Sequence, residues 1–276
     1  MASSAYASPL EKGWYYLHRM ICGAVLLFLI APILVIFPLS FNSVPFFSYP
    51  MPGLSLRWYE EFFLTTRWQG ALHNSMFVAV SVTLLSTMLG TLAALGLSRP
   101  NFPWRTTVMS LLISPMIVPA VITAVGVYFF YADVGLLNSY TGLILAHTTM
   151  ATPFVVIIVT ATLTGFDHSL TRAAAGLGAP PTTVFVKVIL PLIMPGMISG
   201  ALFAFLTSFD EVVIALFVAG AEQRTLPRVM FSGIREEISP TITAAATVLT
   251  LISVIMLATV ELLRRRSERL RGIHGS

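Results

Sequence analysis

Long uncharged, apolar stretches alternate with short charged ones along the whole chain. No charged residue lies between Arg19 and Arg57, between Arg67 and Arg99, between Arg105 and Asp133, or between Asp133 and Asp167. Two further apolar runs follow, one after Lys187, interrupted by Asp210 and Glu211, and one between Glu237 and Glu261. Crossing about 30 Å of hydrocarbon takes about 20 apolar residues in a helix. The pattern therefore predicts six spans, at 21–41, 74–98, 106–131, 141–165, 188–219 and 241–260. The runs are unbroken and lack the alternation of barrel strands, so helices are expected. No linker, low-complexity tract or repeat divides the chain, and residues 1–276 are expected to form one transmembrane domain.

Prolines fall inside or at the ends of the spans, at Pro32, Pro38, Pro115, Pro119, Pro153, Pro191 and Pro195. An interior proline removes a backbone hydrogen bond and kinks its helix, which suits a bundle around a central path. Proline is also simply more frequent in membrane helices. The apolar run at 21–41 is longer than a signal-peptide core and no small-x-small cleavage site follows it, so a retained helix is expected. The stretch 54–63, LSLRWYEEFF, reads either as an interfacial helix with Trp58 and Tyr59 at headgroup level or as an ordinary loop.

Composition agrees with the pattern. The chain is 56% hydrophobic and 10% charged, whereas a soluble domain carries about 25% charged residues. The formal charge is +4, but the basic residues sit in gaps between spans and not in a patch with interleaved aromatics, so no nucleic acid is expected. The single cysteine, Cys22, can form neither an internal disulfide nor a cysteine-rich metal site. Lys and Arg mark the cytoplasmic side of a membrane protein. With six spans, one side collects Lys12, Arg19, Arg99, Arg105, Arg172, Lys187, Arg264, Arg265, Arg266, Arg269 and Arg271, eleven residues. The other collects Arg57, Arg67, Arg224, Arg228 and Arg235, five residues. Both termini are therefore expected in the cytoplasm.

The only lysines are Lys12 and Lys187, and neither follows a glycine. A phosphate-binding P-loop requires a Gly-Lys pair, so ATP chemistry, if it drives this chain, must lie on another one.

The most informative stretch is the loop 166–191. Small residues crowd its first half, and Thr171 is expected to cap a short helix over Arg172–Leu177. Gly178 suits a left-handed C-cap. Pro180 and Pro181 stop that helix, and Thr182 or Thr183 is expected to start the next at Val184. An alanine-faced helix at a water-exposed loop admits close approach by another protein; a plain connection needs no such helix.

These residues resemble the coupling loop of ABC importer permeases, whose pattern runs Glu-Ala-Ala, three residues, Gly, nine residues, Ile, one residue, Leu-Pro. Ala173, Ala174 and Gly178 fit, and Val188, Ile189, Leu190 and Pro191 follow at the matching distance. Arg172 stands in place of the glutamate and Val188 in place of the isoleucine. The span count, LSLRWYEEFF and SFDEVVIALFVAG further resemble permeases of the spermidine/putrescine type over about residues 10–265. The resemblance implies an all-α, six-helix type I permease without catalytic residues, in a bacterial inner membrane. It implies that Arg172, Ala173, Ala174, Ala175, Gly176, Leu177, Gly178, Leu190 and Pro191 form the ATPase-coupling surface. The implied partners are a second permease subunit, two ATPase subunits carrying ATP and Mg, and a periplasmic substrate-binding protein.

Asp210 and Glu211 follow Phe209 inside an apolar run. A carboxylate at membrane depth marks a pathway or meets a partner, and adjacent helix positions point about 100° apart, so the two are expected to have different tasks. Phe209, Asp210 and Glu211 are candidates for the translocation path, where acids would attract a cationic, polyamine-like solute. The structural alternative is a cap where the helix breaks. An opine, amino-acid-like or aminophosphonate solute stays open, and so, from another class, does a stand-alone channel or secondary transporter. An intramembrane enzyme would need a nucleophile with a base, or metal ligands, at membrane depth; adjacent carboxylates do not face each other. Gly196 and Gly200 form a G-x-x-x-G that permits close helix contact and is a candidate seam with a partner permease. His147 is expected to be a buried, hydrogen-bonded histidine, and His73 and His168 to be exposed. Asp133, Glu236 and Glu237 read as outer-loop charges, and the Arg264–Arg271 cluster as a topology signal meeting anionic lipid. No metal-ligand cluster is expected.

Overall fold

The computed structural model describes residues 8–48, 50–99, 102–167, 169–236 and 239–270, with backbone alone at 236, 260 and 263–270. His168, Glu237 and Arg271 lie outside the described residues, as do the side chains of Glu236, Arg264, Arg265, Arg266 and Arg269. The described residues form helices and loops, with a single isolated β-bridge between Asn42 and Leu54. The chain divides into two compact units, Met1–Phe63 with Glu237–Leu249 and Leu64–Glu236 with Thr250–Ser276.

In the first unit, α1 (Pro9–Leu39) begins at a capping box. The Glu11 N–H donates to Ser8 Oγ and the Ser8 N–H donates to Glu11 Oε2 at 2.7 Å, with Pro9 in the first turn. None of the α1 residues is buried, as expected of a helix whose solvent is lipid. The short α2 (Arg57–Leu64) turns Trp58 inward, where Nε1 donates to the Asn42 carbonyl at 2.6 Å. Trp58 is 3% exposed and so does not lie at headgroup level; Leu54, Leu56, Phe63 and Leu64 are the exposed apolar residues here.

The second unit is built on α3 (Thr66–Leu97), α6 (Tyr140–Thr164) and α9 (Leu190–Phe209), which pack on one another. Glycine sets their spacing. A Cβ at Gly90 would lie 2.6 Å from Val155 Cβ, one at Gly200 3.2 Å from Val155 Cα, and one at Gly196 2.2 Å from Thr162 Oγ1. Two helix backbones, α3 and α9, therefore converge on α6. Gly196 and Gly200 serve this internal packing and not the partner seam their spacing suggested, because both glycines meet α6 of the same chain.

The third expected span, 106–131, is broken. It forms α4 (Arg105–Ile117) and α5 (Ala120–Val134), bent by 101°. Val118 is extended at φ −70 and ψ 131, because the proline after it excludes helical backbone, and Pro119 has no N–H to continue the ladder. Among the described residues five other helices are long and apolar enough to cross a membrane, and this bent pair brings the number to six if it is one span. The sixth expected span lies within α12 (Pro240–Leu270).

Candidate functional site

The loop expected at 166–191 folds as α7 (Ser169–Gly176), a turn, and α8 (Pro181–Val184), which continues through a π-helical turn, Phe185–Ile189, into α9. Two expected starts shift. The α7 helix begins at Ser169 and not at Arg172, with Asp167 Oδ1 accepting from the Ser169 N–H at 2.8 Å just before it, which places Thr171 inside the helix. The α8 helix begins at Pro181 and not at Val184, because proline's fixed φ and missing N–H suit a first helical position.

The end of α7 is a Schellman turn. Gly178 sits at φ +83, its N–H donates to the Ala175 carbonyl, and the Ala179 N–H donates to the Ala174 carbonyl. No atom crowds a Cβ at Gly178, so glycine is required there by backbone angle alone. The π turn ends two residues before Pro191. In α geometry the ring of Pro191 would meet the carbonyl of Lys187; widening the turn, with the Leu190 N–H donating to the Phe185 carbonyl, accommodates it.

The loop presents its expected surface outward. Arg172, Ala173, Ala175, Gly176, Gly178 and Pro191 are exposed, Ala174 and Leu190 are partly so, and Leu177 is 89% exposed. Arg172 has no hydrogen-bond or ion-pair partner among the described residues. Behind the loop is a cavity of about 380 Å³ lined by Leu95, Ser98, Arg99, Leu163, Thr171 and Phe185 among others. The α7 helix packs on α8 and the π turn, and its Thr171 faces the cavity that Leu95 and Leu163 of the bundle also line.

The acidic pair lies where α9 ends. The fifth expected span, 188–219, is not continuous: α9 stops at Phe209, residues 210–212 are not helical, and α10 (Val213–Val218) follows. The two carboxylates differ as adjacent positions should. Glu211 Oε1 accepts from the Ile214 N–H at 3.0 Å and caps α10. Asp210 is exposed and its carboxylate has no partner among the described residues. Phe209, expected on the path, is 1% exposed and stacks on Phe205 with centroids 5.3 Å apart, so it packs the core. Just behind the break, His147 on α6 is buried with Nδ1 3.0 Å from Ser208 Oγ. His73 and Asp133 are exposed.

A network that the sequence reading did not single out holds the turn after α10. Asn74 Nδ2 donates to the carbonyls of Glu222 and Arg224 at 2.7 and 3.0 Å, and its Oδ1 accepts from the Tyr140 hydroxyl at 2.7 Å. Ser75 Oγ accepts from the Leu226 N–H at 2.7 Å, at the start of α11 (Leu226–Glu236). Arg228 donates to the carbonyls of Ala219 and Gly220. Burial, and after it the charge of Arg224, draws the Arg228 guanidinium below its ordinary value. The available signal was a polar residue in the first turns of each of two apolar helices, Asn74 and Tyr140; their shared target lies about 80 to 150 positions away.

Residues 86–269 match the family model of the binding-protein-dependent transport system inner membrane component. The chain is 32% identical over 254 residues to the spermidine/putrescine transport system permease protein PotC of Haemophilus influenzae, covering 92% of this chain and 98% of that one. It is 35% identical over 233 residues to the putrescine transport system permease protein PotI of Escherichia coli, covering 80% and 81%. Its fold is similar to that of a chain in a crystal structure of a bacterial ABC transporter that imports the acidic polysaccharide alginate. There the TM-score is 0.71 at 17% identity, with 95% of this chain and 99% of that one covered.

Proposed function

We infer the function from one premise: the chain belongs to the family of binding-protein-dependent transport system inner membrane components. It is a permease subunit of an ABC importer, a multi-pass membrane protein with the importer-permease fold. We further propose that its solute is a polyamine of the spermidine/putrescine class and that residues 1–276 act as one permease domain. In this reading the chain forms half of the path with a second permease subunit and has both termini in the cytoplasm. Two separate ATPase subunits bind ATP and Mg and perform the hydrolysis; this chain contributes no catalytic residue. A periplasmic binding protein delivers the solute.

One observation carries the reading. The loop and the unpaired acid are the two ends of one helix, which runs without a gap from Pro181 to Phe209, 29 residues. At 1.5 Å per residue this rod is about 43 Å long. An ATPase seated on Arg172–Gly178 and the neighbouring Leu190–Pro191 displaces the near end, and the far end, with Asp210, moves with it. That is a two-state element biased at both ends, by nucleotide through the ATPase and by solute at the acid. Asp210 gives the solute its sign. A carboxylate and an ammonium about 4 Å apart attract by roughly 4 kcal/mol at an effective dielectric of about 20. An opine or aminophosphonate brings an anionic group that the same carboxylate repels, so the polyamine is favoured.

The test is uptake of radiolabelled spermidine by the assembled importer in proteoliposomes, with loaded binding protein outside and ATP inside. The reading expects ATP-dependent accumulation that Asp210→Asn reduces. Accumulation unchanged by that substitution, or uptake of an anionic solute in preference to spermidine, overturns it.

A further inference from the structure

His147 is buried, yet it is not explained by packing. The ring is 1% exposed, and Nε2 has no hydrogen-bond partner. An orphaned polar atom carries a desolvation penalty that a leucine of similar volume would not. The one polar service of the ring is its bond from Nδ1 to Ser208 Oγ, 3.0 Å long and spanning α6 to α9. One residue earlier on α9, Thr207 bonds back to its own helix, donating to the Phe203 carbonyl at 2.8 Å. Ser208 instead reaches across to α6.

That bond sets a direction. Ser208 is buried toward α6, and Asp210 is two positions on, at φ −96 and ψ −1, still close to helical backbone. Positions two apart on a helix point about 200° apart. With Ser208 held against α6, position 210 is turned to the far side, where its carboxylate is exposed. The helix ends one residue earlier, at Phe209; beside the apolar stacking of Phe209 on Phe205, the Ser208–His147 bond is the polar contact that bears on the rotation of this end.

We propose that His147 is a positioning residue for solute recognition, acting through Ser208 to fix the rotation of the last turn of α9 and so the direction of Asp210. The proposal rests on the reading of Asp210 as the solute-facing acid, and two readouts separate them. The first is spermidine uptake by the assembled importer at saturating loaded binding protein. The second needs no solute: in a Cys22→Ser background, Asp210→Cys is labelled with a small cationic methanethiosulfonate, and the rate reports which way position 210 faces.

His147→Leu is expected to lower uptake about tenfold and to slow labelling by a similar factor, the ratio that corresponds to one lost hydrogen bond. His147→Asn, whose amide stands near the place of Nδ1, is expected to restore both to within about threefold of the parent, since a bond to Ser208 is regained. If His147→Leu fails to insert, Ser208→Ala removes the same bond with almost no change of volume and must produce the same two changes. Uptake and labelling both unchanged in His147→Leu and Ser208→Ala overturn the proposal. So does uptake that falls while labelling is unchanged, because the bond then does not act through position 210. Labelling that slows while uptake holds overturns the solute-facing reading of Asp210, and the recognition role with it.

Discussion

The two ends of the helix from Pro181 to Phe209 are held in opposite ways. At the loop end, the bonds that start and stop α7 join residues two to five positions apart, Ser169 to Asp167, Gly178 to Ala175 and Ala179 to Ala174. At the acid end, the chain is held from far away. Ser208 is tied to His147 across 61 positions, and the turn beyond α10 is tied to Asn74 across 148 and 150. The loop is thus a shape written into a local stretch and left exposed, as a surface for another protein must be. The acid end is held by side chains on α3 and α6, and its own carboxylate is exposed.

The sharpest break in this contrast is at Gly178. A side chain in the left-handed region costs roughly 1–2 kcal/mol, and more when β-branched. Gly178→Val should therefore leave the chain inserted but lower uptake by at least about tenfold by misdirecting the exposed loop. Uptake at the parent rate would remove the loop from the account. Next in size is Asp210→Asn, which should cut spermidine uptake about tenfold with thermal stability unchanged, since it removes attraction to the solute and no internal bond. Glu236→Gln serves as the control and should have no effect of that kind.

The same contrast predicts stability losses at the acid end only. Asn74→Ala removes the bonds to the Glu222 and Arg224 carbonyls and the acceptor of the Tyr140 hydroxyl, leaving the Tyr140 hydroxyl on the Glu222 carbonyl at 3.2 Å; a loss of about 1–3 kcal/mol is expected, read as a lower melting temperature in detergent. An unchanged melting temperature would show that the far turn is held by something other than Asn74. The smallest effect is expected for Glu211→Ala, about 0.5–2 kcal/mol for a lost helix cap, with uptake reduced far less than in Asp210→Asn. If the two acids instead prove equivalent in uptake, their division into a cap and a solute-facing group is wrong.

What was legible in the sequence follows the same line. Gly178 and the Pro180–Pro181 pair act on their own backbone, so the turn at the end of α7 could be read from the chain alone. The helix starts were read less well, because Ser169 and Pro181 open helices ahead of threonines that are equally good starts on paper. Apolar length located the spans, and Pro119 was visible only as one of several prolines that could kink a helix; the 101° bend is not a property of the dipeptide. Gly196 and Gly200 announced a close contact without saying with what; the answer, Thr162 and Val155 of the same chain, is tertiary. Asp210 and Glu211 could be told apart only as two directions on a helix. Which one caps and which one is free depended on where α9 stops, and neither the His147–Ser208 tie nor the Asn74–Tyr140 network leaves a trace in local spacing.

The central claim is that this chain moves solute only as one part of a machine driven at its loop. The most direct measurement is spermidine uptake into proteoliposomes that contain the purified chain alone, set beside proteoliposomes that contain it with its partner permease and ATPase, loaded binding protein outside and ATP within. The account predicts no uptake by the chain alone and ATP-dependent accumulation by the assembly, lost in Gly178→Val. Spermidine accumulation by the chain alone, at the rate of the assembly and indifferent to ATP, would contradict it.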